Sequence, residues 1–189
     1  MSCFYISDTH FGHENSIRYD KRPFSSAEEM DEEMIYRWNS VVKKKDNVYI
    51  VGDFAFRSAK SVSEYTNRLN GHLHLILGNH DRLSSLERNN SFSSTHEILR
   101  ISDNVFGTKR KVVLCHYWIP FVPEQRHGGF MLHGHTHATL EHVLEEEAKQ
   151  KIRDNDLRCE AYNVGCMFQD YAPMTLEQVI QRQDRKNII

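Results

Sequence analysis

No stretch of this 189-residue chain is apolar for long enough to cross a bilayer. Its opening, Met1-Ser2-Cys3-Phe4-Tyr5-Ile6, lacks the basic start and long apolar run of a signal peptide, and Asp8 interrupts it early. A membrane-embedded protein is therefore excluded, secretion is not indicated, and the cytoplasm is the expected setting. Cysteine is scarce: Cys3, Cys115, Cys159 and Cys166 form no Cys-x-x-Cys pair, which argues against a disulfide framework and fits a reducing compartment. An excess of either charge is also missing, with 24 Lys and Arg against 26 Asp and Glu, so no uniformly basic nucleic-acid surface is expected. The short runs Lys43-Lys44-Lys45 and Lys109-Arg110-Lys111 read as a solvated helix end and a turn. No internal repeat or low-complexity linker divides the chain. Its length and 39% hydrophobic content fit one domain, residues 1–189, with a substantial core.

The apolar pattern predicts alternating strands and helices. Runs at 4–6, 48–51, 73–77 and 112–114 read as strands. Ser26 followed by Glu29 resembles a capping box, and Met30, Met34, Ile35, Trp38, Val41 and Val42 recur at helical spacing, predicting a helix over 27–44. A second helix is expected over 58–69, and a hairpin around Phe106-Gly107 that ends at His116. The Glu- and Lys-rich stretch 141–153 reads as an exposed helix or extended arm with solvated charges. A closing helix from Thr175 is expected to fray across 184–187. Residues 117–129, broken by Pro120, Pro123 and Gly128-Gly129, read as a loop suited to touching substrate.

What the chain does have is a series of polar clusters, each beside glycine or at the end of an apolar run. They are Asp8-Thr9-His10, Gly52-Asp53, Gly78-Asn79-His80-Asp81, Cys115-His116 and Gly134-His135-Thr136-His137. Strand ends are where α/β folds collect ligands. Two cations a few Å apart need a shared ligand, a task a carboxylate performs better than an imidazole, and Asp53 is the candidate. Asp8 and His10 lie two residues apart, as do His135 and His137, so in an extended segment each pair faces one side. Oxygen and imidazole donors without thiolates suit Mn²⁺, Fe or Zn²⁺ in a site for chemistry better than a structural zinc cage. His72, His74, His96 and His142 stand apart from these clusters and read as ordinary surface or core residues, and Cys115 as a small buried one.

The ordered set Asp-x-His, Gly-Asp, Gly-Asn-His-Asp, a His after a strand and Gly-His-x-His, spanning residues 8 to 137, is similar to the calcineurin-like metallophosphoesterases. The opening 8–13 and Asn163-Val164-Gly165 resemble the small bacterial and phage members. The resemblance implies an α/β/β/α sandwich of two mixed sheets flanked by helices. It implies that Asp8, His10 and His137 bind one divalent metal, Asn79, His116 and His135 another, and Asp53 both. Mn²⁺ is the first candidate for both ions, with Fe, Zn²⁺ and Ni²⁺ as alternatives. His80 matches the family's non-ligand histidine near the leaving-group oxygen. The implied reaction is in-line hydrolysis of a phosphomonoester or phosphodiester by a hydroxide bridging the two ions. In the phosphoprotein phosphatase branch, Gly-Asp is followed by an Asp that orients the histidine and an Arg that grips phosphate. Here Phe56 replaces that Asp and Arg57 keeps the Arg spacing, which argues against a protein phosphatase and leaves Asp81 or a backbone group to orient His80. His13 and His127 are candidate phosphate contacts. A small phosphorylated substrate, a nucleotide or phosphodiester, is expected; a nuclease or a non-catalytic metal-binding scaffold is the alternative.

Overall fold

The computed structural model describes residues 1–186, with side chains described to residue 183. Its first sheet is built from β1 (Cys3–Ile6), β2 (Asn47–Val51), β3 (His72–Ile76) and β4 (Ser94–His96), in that order and parallel throughout. An isolated antiparallel bridge joins Tyr5 of β1 to Met174. The second sheet joins β5 (Ile98–Val105), β6 (Thr108–Cys115), β7 (Phe130–His133) and β8 (Ala161–Asn163), antiparallel between β5 and β6 and parallel elsewhere. The β5–β6 hairpin closes through Phe106 and Gly107, both at positive φ (48° and 74°), the two-residue turn whose twist suits paired strands.

Alternation along the strands builds the layers. Phe4, Ile6, Val48, Ile50, Leu73 and Leu75 face Met30, Met34 and Trp38 of α2 (Ala27–Val41), together with Tyr65 of α3 (Val62–Thr66). Tyr5, Val51 and Ile76, on the opposite face, meet Val112, Leu114 and Leu132 of the second sheet and Val179 of α6 (Leu176–Lys186). Val113, Cys115 and Met131 then pack beneath Ile152 of α5 (Leu140–Arg153). The result is the expected α/β/β/α sandwich. Each fully buried Val, Leu or Ile contributes about 1.5–3 kcal/mol, and such residues stand in the first two of these interfaces.

Several elements differ from the sequence reading. Ser26 Oγ accepts from Glu29 N at 3.1 Å, but Glu29 turns its carboxylate to Ser25, so only half of the capping box forms. α2 stops at Val41 because Val42 turns extended and buries its side chain, leaving the lysine run outside the helix. The helix expected over 58–69 shrinks to α3, which starts where Ser61 and Glu64 form a full capping box. α1 (Glu14–Tyr19), α4 (Ser85–Ser91) and β4 are too short to leave a periodic signal. α5 is a helix, but its charges are not all solvated: Glu145 and Lys149 are buried, paired with each other on the inward face. α6 is helical to Lys186, so the helix continues through 184–186, where fraying was expected, and residue 187 lies outside the described residues.

The two sheets meet along their carboxyl edges. Ser7 N donates to Val164 O at 2.8 Å and Cys166 N donates to Ser7 O at 2.9 Å, tying the end of β1 to the chain leaving β8. The loops after β1, β2, β3, β6 and β7 therefore open into one place.

Candidate metal centre

Three of the segments that carry the polar clusters, those after β1, β2 and β7, are not extended. Asp8, His10, Asp53, His135 and His137 have φ of 55°, 50°, 55°, 73° and 47°, in the left-handed region that side chains other than glycine rarely occupy. The expectation that each pair faces one side because of strand alternation is thus overturned. Convergence comes from kinks at the strand ends, held by hydrogen bonds from Asp8 N to Gly52 O and from His10 N to Asp53 O, both 3.0 Å. Such conformations cost of order 1–3 kcal/mol each and persist where the surroundings over-determine them, commonly at functional sites.

Glycine makes two of the close approaches. Gly52 has φ 92°, and a Cβ there would lie 2.1 Å from His116 Nδ1. A Cβ on Gly134 would meet Asp8 Oδ2 and Ser7 Oγ at 2.4 Å.

The side chains converge as two donor sets that share one carboxylate. His10 Nε2 lies 3.3 Å from His137 Nε2, which is 3.4 Å from Asp8 Oδ1. Asn79 Oδ1 lies 3.1 Å from His116 Nε2 and 3.1 Å from His135 Nδ1. Asp53 Oδ2 stands between the sets, 3.6 Å from His10 Nε2 and 3.5 Å from His116 Nε2, while its Oδ1 accepts from His80 N at 2.9 Å. Those Asp53 separations are too long for good hydrogen bonds. They match donors around a common ion: at metal–ligand distances near 2.0–2.2 Å, neighbouring ligand atoms stand about 3.0–3.5 Å apart. Asp8, His10, Asp53 and His137 form a compact group able to hold a cation, and the donors fit a divalent ion that favours nitrogen and oxygen.

Protonation reflects this crowding. Burial pushes His10 down to about 3 against the pull of Asp8 and Asp53. Burial also acts on His137, but hydrogen bonds and charge from Asp20 and Asp8 outweigh it and raise His137 to about 10. His116, likewise buried, is lifted to about 8 by Asp53 and Asp8. Burial would raise Asp8 and Asp53, but neighbouring histidines hold both below the ordinary carboxylate range. Cation binding here would displace protons from His116 and His137, the two imidazoles that the carboxylates raise.

Sequence reading missed Asp20. Its carboxylate meets His137 Nδ1 at 2.8 and 2.9 Å, which turns Nε2 toward Asp8 and His10. Buried Arg22 grips Asp20 Oδ2 at 2.8 Å through Nη2 and also donates to the carbonyls of Asp8 and Thr9 at 2.9 Å. Asp20-Lys21-Arg22 carries no metal-ligand spacing, and only the return of the chain after α1 brings it under His137.

The other predicted residues separate. His80 lies at the site, its ring 4.1 Å from that of Phe56 and 5.5 Å from that of His10. Asp81 does not orient it: its carboxylate accepts from the backbone N–H groups of Asp53 (2.7 Å), Phe54 (2.9 Å) and Gly78 (2.8 Å), locking two ligand loops together. Burial raises its pKa, opposed by those backbone donors. The His80 ring packs against Phe56, the residue that stands where the phosphatase branch has its orienting Asp. Exposed Arg57 lays its guanidinium 5.1 Å over Phe56, and with His13, His10, His80 and His137 it lines a cleft of about 410 Å³. His127 is exposed before β7, at the opposite end of that strand from Gly134, and is not among the residues lining that cleft. Of the loop 117–129, Tyr117 touches the site, its ring 5.1 Å from that of His116 and 4.8 Å from that of His135.

A four-layer sandwich with an Asp–His cluster at the carboxyl edge of its sheets defines an α/β protein built around a candidate metal centre. Comparison with known proteins gives this class its family. The model of the calcineurin-like phosphoesterase superfamily domain matches residues 1–167, and the chain belongs to that superfamily. It is 30% identical over 194 residues to an uncharacterized protein of Methanocaldococcus jannaschii, covering 98% of this chain and 93% of the relative. It is 29% identical over 166 residues to the gene 66 protein of Mycobacterium phage L5, covering 74% and 79%. Among solved structures, a protein of unknown function from Aquifex aeolicus superposes with a TM-score of 0.65 over 99% of this chain and 98% of its own, at 22% identity, and shares the fold.

Proposed function

We propose that the protein is a metal-dependent phosphoric ester hydrolase with a dinuclear centre, acting on a small phosphodiester or nucleotide. The observation that carries this reading is Asp53: one carboxylate oxygen stands 3.5–3.6 Å from an imidazole of each donor set. Asp8, His10 and His137 would hold one ion, Asn79, His116 and His135 the other, and Asp53 both, with Mn²⁺ first among the candidates and Fe, Zn²⁺ and Ni²⁺ behind it. Such ions supply Lewis acidity that neutralises phosphoryl oxygens and acidifies water.

The chain's own residues do the rest. His80, in the cleft and free of any carboxylate role for Asp81, donates a hydrogen bond or proton to the departing oxygen. Arg57 offers a planar cation to a non-bridging phosphate oxygen from the cleft wall. The 410 Å³ cleft suits one small organic group rather than a protein surface. No helix among the described residues is long and apolar enough to cross a membrane, and the four free cysteines favour a cytoplasmic setting.

The test is hydrolysis of p-nitrophenyl phosphate and bis-p-nitrophenyl phosphate by metal-stripped protein refilled with Mn²⁺, Zn²⁺, Ni²⁺ or Mg²⁺, beside Asp53→Asn. Metal-dependent turnover that falls to background in Asp53→Asn is the expected result, and the faster substrate names the ester class. Wild-type protein that binds two ions yet hydrolyses neither ester would overturn general esterase action in favour of a scaffold.

A further inference from the structure

A set of buried charges under α5 has no part in the chemistry above. Lys149 is 0% exposed, with Nζ 2.5 Å from Glu145 Oε1, 2.8 Å from Glu146 Oε1 and 2.9 Å from His133 Nε2. His133, also 0% exposed, lies 3.0 Å from Glu145 Oε1 and immediately precedes Gly134. Burying such groups costs several kcal/mol per ion unless each is closely paired. His142, Glu145 and Glu146 lie near enough together to hold a cation, but the Lys149 ammonium already stands against both carboxylates. The cluster carries its own cation.

The second oxygen of Glu145 points to the metal centre's frame. Glu145 Oε2 accepts from Thr136 Oγ1 at 3.2 Å. Thr136 Oγ1 in turn accepts from Asn163 Nδ2 at 3.0 Å, and Asn163 Oδ1 accepts from Gly165 N at 2.9 Å. Thr139 Oγ1 donates to Thr136 O at 2.7 Å. Thr136 sits between His135 and His137, whose positive φ values need outside support. Between the two histidines, the Thr136 hydroxyl is bound on both sides, by Glu145 and by Asn163. Asn163-Val164-Gly165, a motif with no role in the chemistry, closes the same network.

We propose, resting on the reading of His135 and His137 as metal ligands, that Glu145 is a positioning residue for their loop. It acts through Thr136, and Lys149 is the fixed internal cation that keeps its carboxylate in place. Metal affinity is then set in part from α5, an element that contributes no ligand. Burial alone would raise the Glu145 pKa, but His133 and Lys149 reverse this and bring it to about 2, so the acceptor stays charged.

The experiment titrates Mn²⁺ into metal-stripped full-length protein and counts free Mn²⁺ by electron paramagnetic resonance. It compares wild type, Thr136→Val, Thr136→Ser, Glu145→Gln and the Thr136→Val/Glu145→Gln pair, each checked for native circular dichroism. Thr136→Val keeps the shape and loses the hydroxyl, and about 10-fold or weaker Mn²⁺ binding is expected. Thr136→Ser restores binding, Glu145→Gln matches the loss, and the double variant is no weaker than the weaker single one, because both break one link. Wild-type affinity in Glu145→Gln or Thr136→Val would overturn the proposal. Failure of the wild-type chain to bind two Mn²⁺ ions would overturn the metal reading itself, and the positioning role with it.

Discussion

At the scale of single residues, the centre depends on groups that hold other groups. Asp20 fixes the ring of His137 through Nδ1, and Arg22 fixes Asp20. A carboxylate behind a metal-binding histidine sets its orientation and basicity, and removing one costs about 10–100-fold in metal affinity. Asp20→Ala should therefore weaken Mn²⁺ binding by that factor while the fold stays native, measured by the same titration. His80 makes a sharper contrast. It neighbours Asn79 in sequence but offers its ring to the cleft, so His80→Asn should leave metal stoichiometry unchanged. Turnover should fall by about 10²–10⁴-fold, the usual worth of a general acid. Loss of metal in that variant would make His80 a ligand instead.

At the scale of elements, the ends of β1, β2 and β7 deliver their donors through residues at positive φ. Gly52 is the most demanding of these turns, because its φ of 92° and the 2.1 Å approach of His116 Nδ1 leave no room for a methyl group. Gly52→Ala should cost of order 1–3 kcal/mol from backbone strain alone. It should also displace His116 and reduce bound metal from two ions to one. Thermal melting and metal analysis of the purified variant read both effects. α5 shows how an element can look like surface and act as core. Its glutamates and lysines promised a solvated helix, yet Glu145 and Lys149 turn inward, because each cancels the charge of the other and His133 lies beneath them.

At the scale of the whole molecule, the donors come from five loops of two sheets, so an ion bound among them ties the sandwich along its carboxyl edge. Anything that binds the folded chain and not the unfolded one stabilises it, by about 2.7 kcal/mol at a hundredfold excess over Kd. For a chain of this size each kcal/mol moves Tm by about 2–4 °C, so saturating Mn²⁺ should raise Tm by about 5–10 °C, reversed by a chelator. An unchanged Tm would mean that the cluster holds no ion in the folded state. If a polymer were the substrate, turnover would fall steeply with salt as bound counterions are released. With a net charge of -2, a small ester predicts a shallow dependence.

Much of this molecule follows from local sequence. The strands before the clusters, the α2 stripe of Met30, Met34 and Trp38, the Phe106-Gly107 hairpin and the ordered Asp, Asn and His motifs are set by side-chain periodicity and by residues adjacent in the chain. Periodicity is a local property, so one sequence suffices to read it. What only tertiary structure decided are the relations between distant segments. Asp20 meets His137 across more than a hundred residues, and Asp81 spends its carboxylate on the Asp53 loop instead of on His80. His127 ends up at the wrong end of β7, and Lys149 is buried against Glu145 and His133. The same side chain is cheap on the surface and costly in the interior unless a partner arrives from elsewhere in the fold. The packing of the two sheets, not the neighbouring residues, determines whether that partner is there.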